Sequence, residues 1–515
     1  MSVTVRDAVR DLLREFGTTT VFGNPGSTEA GFLTDWPSDF RYVLALHEAV
    51  AVAMADGYAQ AGARPVLLNL HAAGGLGNAM GQLVNAFHNH TPMVVLAGQQ
   101  DRAMLPEDPF LAFLDGPALP RPYLKAAIEP ARAKDVPAAV VRAHRLAATS
   151  PRGPVLVTVP ADDWDAEPAP ALAGPPIRPS TVDSEALAEL AAVLDNAERP
   201  AIVAGPAVDA ERAVTDLVVL AERLRAGVWA APMSARCSFP EDHPLFHGFL
   251  APTRQAIADA LAGHDAVLVL GAPAFTYHVP SDGPDVPHPR LYLISDDDSA
   301  LARAPHAIGL CGAVGKAIVT LAGLVTASDR PVPPARPAPP EPAGIAATAF
   351  GTLADLLPHN ALLVEEAPSH RDALRAHLPI TATETGFLTI PGGTLGYGLP
   401  AAVGAALARP DRRVVAVVGD GAAMYAIQAL WTAVREQAPV TVVVMDNEEY
   451  AAVRELGELS GRSRMPGTEL GGIDFATLAR ALGCTAETVA TQEKLEPALR
   501  RALAAGGPAV LHLRT

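Results

Sequence analysis

"VVAVVGDGAAMYAIQALWTAVREQAPVTVVVMDN", residues 414–447, reads as strand, helix, strand. Both strand segments are unbroken apolar runs, not alternating ones, which suits strands of a parallel sheet buried on both faces. The first run stops at Gly419-Asp420-Gly421 and the second at Asp446-Asn447. A helix is expected from Ala422, with Met424, Ile427, Trp431 and Val434 near helical spacing. A right-handed crossover makes the strands parallel and brings Asp420 and Asn447 to one sheet edge. Gly-Asp-Gly alone would be no more than a helix cap. With Asn447 on the same edge, an acid and an amide oxygen can face one hard cation, which commonly takes phosphate oxygens as further ligands. Free N–H groups at the helix start favour a phosphate there, and Gly419 and Gly421 allow close backbone approach. The unit reads as a magnesium–diphosphate site.

The pattern repeats outward from this unit. Apolar runs fall at 66–70, 93–98 and 155–159, at 201–205, 267–271 and 291–295, and at 361–366. Two proline-rich stretches poor in large apolar residues, 165–180 and 326–344, are expected to be extended linkers. They leave blocks at 1–165, 181–325 and 345–515, each the size of one α/β domain. The fold class expected is α/β, three doubly wound parallel-sheet domains. In such sheets ligands bind beyond the carboxyl ends of the strands.

Composition narrows the function. The 515 residues are too many for one core. A net charge of −17 without a Lys/Arg cluster argues against a nucleic-acid partner. No run of eighteen apolar residues predicts a membrane span. The start, "MSVTVRDAVRDLLREFG", mixes charges of both signs, unlike a signal peptide, so a cytoplasmic location is expected. Cys237, Cys311 and Cys484 are scattered and form neither a metal pattern nor a disulfide framework. A nucleotide-binding oxidoreductase would need a Gly-x-Gly-x-x-Gly turn with an acid about twenty residues on, and none is convincing.

Gly419-Asp420-Gly421 followed by Asn447, 27 positions after the acid, resembles the thiamine diphosphate binding motif. The resemblance implies that Asp420, Asn447 and the backbone carbonyl of Glu449 hold Mg2+. It places Gly419, Gly421, Ala422, Ala423, Tyr425, Tyr450, Ala451 and Ala452 around thiamine diphosphate, with Ala422 where relatives often have serine. It also implies a first domain that binds the pyrimidine, a central domain, and a third domain for diphosphate and magnesium. Glu48, in "EAVAVAMADGYA", then meets the aminopyrimidine and promotes formation of the cofactor's nucleophilic carbon. Asn24, Pro25 and Gly26 join it on the first domain. Gly393 and Leu395, in "PGGTLGYGLP", match the loop that passes under the cofactor.

"TVFGNPGSTE" (20–29), "NLHAAGGLGNAMG" (69–81), "GQQDRAM" (98–104), "LPRP" (119–122) and "GAPAFTYH" (271–278) together resemble the benzoylformate decarboxylases, in order along nearly the whole chain. Carried over, Ser27 binds the substrate carboxylate, His71 exchanges protons at the keto oxygen, and His278 delivers a proton after carbon dioxide leaves. Histidine suits such work because its ordinary pKa lies near working pH. The resemblance puts Phe110, Leu111, Thr389, Val453 and Leu456 around the substrate. Here the chain departs from the family: Thr389 and Leu456 stand where phenylalanines are usual, Phe110 where a leucine is, and Pro368 where a threonine is. His370 and Arg371 bring charge near the pocket mouth. Arg371 is expected either to steer an acidic substrate tail or to lie solvated on a helix face. The reaction implied is non-oxidative decarboxylation of a benzoylformate-like 2-oxo acid to an aldehyde. A non-aromatic 2-oxo acid, or carboligation of the acetolactate synthase type, is the alternative, and a non-catalytic binding protein is disfavoured by Glu48, Asp420 and Asn447. The resemblance further implies a site between two chains, hence a homodimer at minimum and a homotetramer by analogy.

Overall fold

The computed structural model describes residues 3–286, 288, 290–459, 461–462 and 465–515. Among them are three six-stranded sheets. The first contains β1 (Thr20–Gly23), β2 (Arg41–Leu44), β3 (Val66–Leu70), β4 (Met93–Gln99), β5 (Ala126–Ile128) and β6 (Val155–Pro160). The second contains β7 (Pro200–Ala204), β8 (Gly227–Ala230), β9 (Phe246–Phe249), β10 (Ala266–Leu270), β11 (Leu291–Ser295) and β12 (Ala307–Cys311). The third contains β13 (Leu362–Glu366), β14 (Phe387–Thr389), β15 (Val414–Gly419), β16 (Val440–Asp446), β17 (Thr485–Val489) and β18 (Ala509–Arg514). All strands pair in parallel, and helices bury both faces, as the unbroken apolar runs require. The three doubly wound α/β units expected from the sequence are present. Residues 167–183 and 331–343 run between them without helix or strand.

The outer sheets share one strand order, β2-β1-β3-β4-β6-β5 and β14-β13-β15-β16-β18-β17. The middle sheet differs, with order β12-β11-β10-β7-β8-β9. β15 and β16 are direct neighbours, with Gly419 paired to Met445, so Asp420 lies level with Asp446 and Asn447 one residue beyond.

One expectation is corrected. The helix after β15 begins at Asp420, not Ala422, and breaks into Asp420–Tyr425 and Ala429–Arg435. The segment packs through small residues: Ala422, Ala423, Ala426, Ala429 and Ala433 are buried, whereas Met424 and Tyr425 are exposed. The break lets the alanines of both pieces sit close to their neighbours, while Ile427, Trp431 and Val434 of the expected apolar face are only half-buried.

Two apolar helices join the outer domains. Glu48–Gly62 crosses Gly398–Ala408 with Gly57 against Ala401 and Gly404 against the Met54 carbonyl, where a Cβ at either glycine would overlap backbone. The pairing of 57 with 401 and 54 with 404 makes the helices antiparallel. Both start at the carboxyl edge of their own sheet, so the two carboxyl edges point in opposite directions within one chain. Other contacts agree. Gln82 donates to the Leu395 carbonyl at 2.9 Å and Asn85 to that of Thr394 at 2.8 Å, while Thr432 donates to the Leu44 carbonyl at 2.9 Å. Arg236 ties the middle domain in, reaching Asp209, Gln60 and Thr385 at once.

Candidate active site

The carboxyl edge of the first sheet carries a preassembled polar group. β1 ends at Gly23, and a turn through Asn24, Pro25 and Gly26 leads to a short 3-10 helix, Ser27–Glu29. Ser27 is exposed, whereas Thr28 and Glu29 are buried. Glu48 opens its helix just after β2 and is only 8% exposed. Asn24 donates to one of its oxygens at 3.3 Å and Asn78 to the other at 3.0 Å. His71 follows β3, and its side chain keeps 23% of its surface accessible. Its Nδ1 lies 3.0 Å from Glu29 and 3.0 Å from the Thr28 hydroxyl. Ala72, next in the chain, sits at a φ of 40°, a left-handed conformation costly for alanine that aims the preceding residue. A Cβ on Gly75 would stand 3.4 Å from both Glu48 and the His71 Cβ, so the two side chains are neighbours.

The third sheet's edge is arranged differently. Asp420 is 3% exposed; one oxygen accepts the Gly421 N–H at 2.7 Å, and the other, Oδ2, is buried without a hydrogen-bond partner. Burial, with Asp446 beside it, pushes the Asp420 carboxyl up to about 6. Asp446 is held by His512 at 2.6 Å. The Asn447 amide oxygen accepts the Glu449 N–H at 3.3 Å. Glu449 turns its carboxylate to Arg454 at 3.0 Å, so what it has to offer the site is its carbonyl. Glu448 between them adopts a φ of 58°. Gly421 is required because a side chain there would strike the Tyr450 ring. Ala451 is buried, and Ala452 and Tyr450 are half-buried.

A magnesium ion fits this donor set. A buried carboxylate oxygen without a partner is costly, and a second acid beside it adds to the cost. A divalent cation would satisfy both, with the amide and carbonyl oxygens that such ions accept. Among the described residues no cluster of three or more His, Cys, Asp or Glu side chains is suited to a metal, so these oxygens would have to contribute.

Gly393 is exposed at a φ of 76°, and Leu395 is half-buried. The loop that holds them is pinned by Glu366, whose carboxylate accepts the N–H groups of Gly396, Tyr397 and Gly398 at 2.8, 3.2 and 2.7 Å. Sequence reasoning did not single out Glu366, nor Glu29, Asn78 or Asp446. Glu29 stands in the quoted "NPGSTE", where its spacing from Gly26 reads as a capping acid.

Other expected residues lie apart. Phe110 is 86% exposed and Leu111 half-buried, both on the first domain. Val453 is exposed and Leu456 half-buried on the third-domain helix Ala451–Leu459. Thr389 is buried, its hydroxyl bound to Glu365 at 2.7 Å. Arg371 pairs with the buried Glu365 at 2.8 Å and reaches Thr389, so it is neither a free steering charge nor a solvated arginine. His278 is exposed on the middle domain, its backbone N–H donating to the Pro252 carbonyl. The first-domain and third-domain groups are not brought together within one chain. The antiparallel helices put residue 60, about 18 Å from Glu48, beside the third sheet's carboxyl edge.

The chain matches the thiamine pyrophosphate enzyme N-terminal TPP binding domain over residues 3–118, the central domain over 187–321 and the C-terminal TPP binding domain over 370–513. It is 42% identical to a benzoylformate decarboxylase of Pseudomonas aeruginosa, with 99% of each chain covered. The structure of a thiamine diphosphate-dependent 4-hydroxybenzoylformate decarboxylase from Rhodococcus jostii superposes with a TM-score of 0.97 at 40% identity, covering 100% of this chain and 99% of that one. An acetolactate synthase isozyme 2 large subunit of Escherichia coli is 27% identical, with 97% of this chain and 93% of that one covered.

Proposed function

We propose that this chain, which belongs to the thiamine pyrophosphate enzyme family, acts on an aryl 2-oxo acid of the benzoylformate type and releases the aldehyde. It is a thiamine diphosphate-dependent 2-oxo acid decarboxylase, similar over its full length to benzoylformate decarboxylases and less so to acetolactate synthases.

Bound thiamine diphosphate supplies a nucleophilic carbon for the keto carbon and an electron sink for the bond to the departing carboxylate. The chain's own residues do the rest. Asp420, Asn447 and the Glu449 carbonyl would hold Mg2+, and the start of the Asp420 helix would present N–H groups to the diphosphate. Glu48 would meet the aminopyrimidine of the bound cofactor and hold a proton there. Asn24 and Asn78 grip both oxygens of that acid, which fixes its aim. Ser27 binds the substrate carboxylate. His71 exchanges a proton at the keto oxygen, and His278 delivers one to the carbon that has lost carbon dioxide. Phe110 and Leu111 face Val453 and Leu456 across the substrate, with Thr389 behind them.

Two chains build each site. Within one chain the edges carrying Glu48 and Asp420 point in opposite directions, which supports a two-fold dimer whose first-domain edge meets its partner's third-domain edge. Exposed Phe110, Leu114, Tyr425 and Val453 on those faces fit such a contact. A dimer of dimers extends the same symmetry.

The observation that carries the reading is the orphaned oxygen of Asp420 on the same sheet edge as Asn447, in a chain that also holds a buried, doubly hydrogen-bonded Glu48. The test is carbon dioxide release from a panel of aryl, alkyl and acidic 2-oxo acids with thiamine diphosphate and Mg2+, with Glu48→Gln as control. Aryl substrates should be turned over best. No turnover of any panel member with cofactor bound would refute the reaction.

A further inference from the structure

We infer that Glu29 is a positioning residue that fixes the tautomer and the orientation of His71; this rests on the proposed role of His71 in the reaction. Three donors converge on the Glu29 carboxylate. Gly26 N–H reaches Oε2 at 2.9 Å, the Thr28 hydroxyl reaches Oε1 at 2.6 Å, and His71 Nδ1 lies 3.0 Å from Oε2. Thr28 spends its only proton on Glu29, so towards His71 Nδ1, 3.0 Å away, its oxygen can only accept. Both neighbours of Nδ1 are therefore acceptors, and Nδ1 must carry the hydrogen. The lone pair is left on Nε2, the nitrogen free of Glu29 and Thr28.

The pocket is built for this pair. Glu29 is 1% exposed. A Cβ on Gly98 would overlap the Glu29 carboxylate, and one on Gly26 would overlap the His71 ring. Two glycines thus close over the acid and the imidazole and exclude water from between them. The other ionisable groups facing the pair are Glu48, beside the base of His71, and Tyr42, whose phenol burial holds protonated. Neither replaces Glu29 at Nδ1.

Glu29→Gln, Glu29→Asp and His71→Asn test the role. In Glu29→Gln, kcat/KM for the best panel substrate should fall about 10- to 100-fold, as for loss of a partner that orients a functional histidine. The loss should fall on kcat with KM little changed, because Glu29 acts through His71 and not on the substrate. Glu29→Asp should restore part of the activity. In the cofactor-free protein, the ¹⁵N histidine NMR signals absent from His71→Asn should show the hydrogen on Nδ1 in wild type and a changed tautomer balance in Glu29→Gln. An unchanged kcat and unchanged His71 ¹⁵N signals in Glu29→Gln overturn the inference. Should that variant not fold, wild-type His71 ¹⁵N signals that put the hydrogen on Nε2 overturn it. Full activity of His71→Asn would instead refute the role of His71, and inactive wild type would refute the reaction.

Discussion

The two outer domains share a strand order, yet their carboxyl edges are prepared in opposite ways. On the first, every acid is answered: Glu48 by two asparagines, Glu29 by three donors. On the third, Asp420 lies buried beside Asp446 with an oxygen unanswered. On the proposed function the difference teaches that one topology serves two tasks. The first edge, proposed to move protons, has its groups aimed in advance. The third, proposed to anchor a metal and a diphosphate, stays frustrated until those charges arrive.

Exchanging which edge is disabled should give the largest effects, and of different kinds. Glu48→Gln should lower kcat by about a thousandfold, the range expected for a lost acid–base group, while thiamine diphosphate still binds in the presence of Mg2+. Asp420→Asn should abolish the Mg2+-dependent gain in cofactor affinity seen by calorimetry. Without cofactor, however, it should melt higher than wild type, because an unpaired buried charge is gone. If both variants lost affinity equally, the division of labour between the edges would be wrong.

Mixing the two variants sharpens the comparison. If each site joins one chain's first edge to its partner's third edge, a mixed dimer has one intact site and one doubly disabled site. After subunit exchange, an equal mixture of Glu48→Gln and Asp420→Asn chains should recover about a quarter of wild-type activity. No recovery, despite exchange shown by native mass spectrometry, would place each site within one chain.

Much of this was legible in the sequence because burial on both faces leaves a plain mark. The runs at 66–70, 291–295 and 414–419 are strands with those bounds. The Asp420–Asn447 pairing was readable because one crossover fixes it. The helix after β15 was misread because apolar spacing favoured Met424, Ile427, Trp431 and Val434, whereas packing chose alanines. Arg371 looked available because its partner, Glu365, lies on a strand six residues earlier and meets it only in the folded domain. Glu29 was hidden for a similar reason: its helix-cap spacing is local, but its contact with His71 spans 42 positions. The opposition of the two edges could not be read at all. It depends on Gly57 and Gly404 letting two helices touch, and glycines within helices carry no such signal on their own.

That crossing is itself open to test, with the smallest expected effect. Asp56 lies two turns beyond Glu48 on the crossing helix, fully buried, and takes Asn89 at 3.1 Å and Tyr397 at 3.5 Å. Burial pushes its carboxyl up to about 6, against the pull of those donors. The folded chain therefore holds a proton that the unfolded chain has released. The stability this confers is complete below the unfolded value near 3.8 and is lost as pH rises to about 6. Asp56→Asn is neutral throughout and lacks this dependence. Between pH 4 and 7 the stability difference should move in the variant's favour by up to about 3 kcal/mol. Paired thermal melts of cofactor-free protein would show it as a rising melting temperature of variant relative to wild type. A constant difference across that range would mean that Asp56 is ionised throughout, with its donors outweighing burial. The seam between the two edges would then be a charged hydrogen-bonded junction, not a proton-holding one.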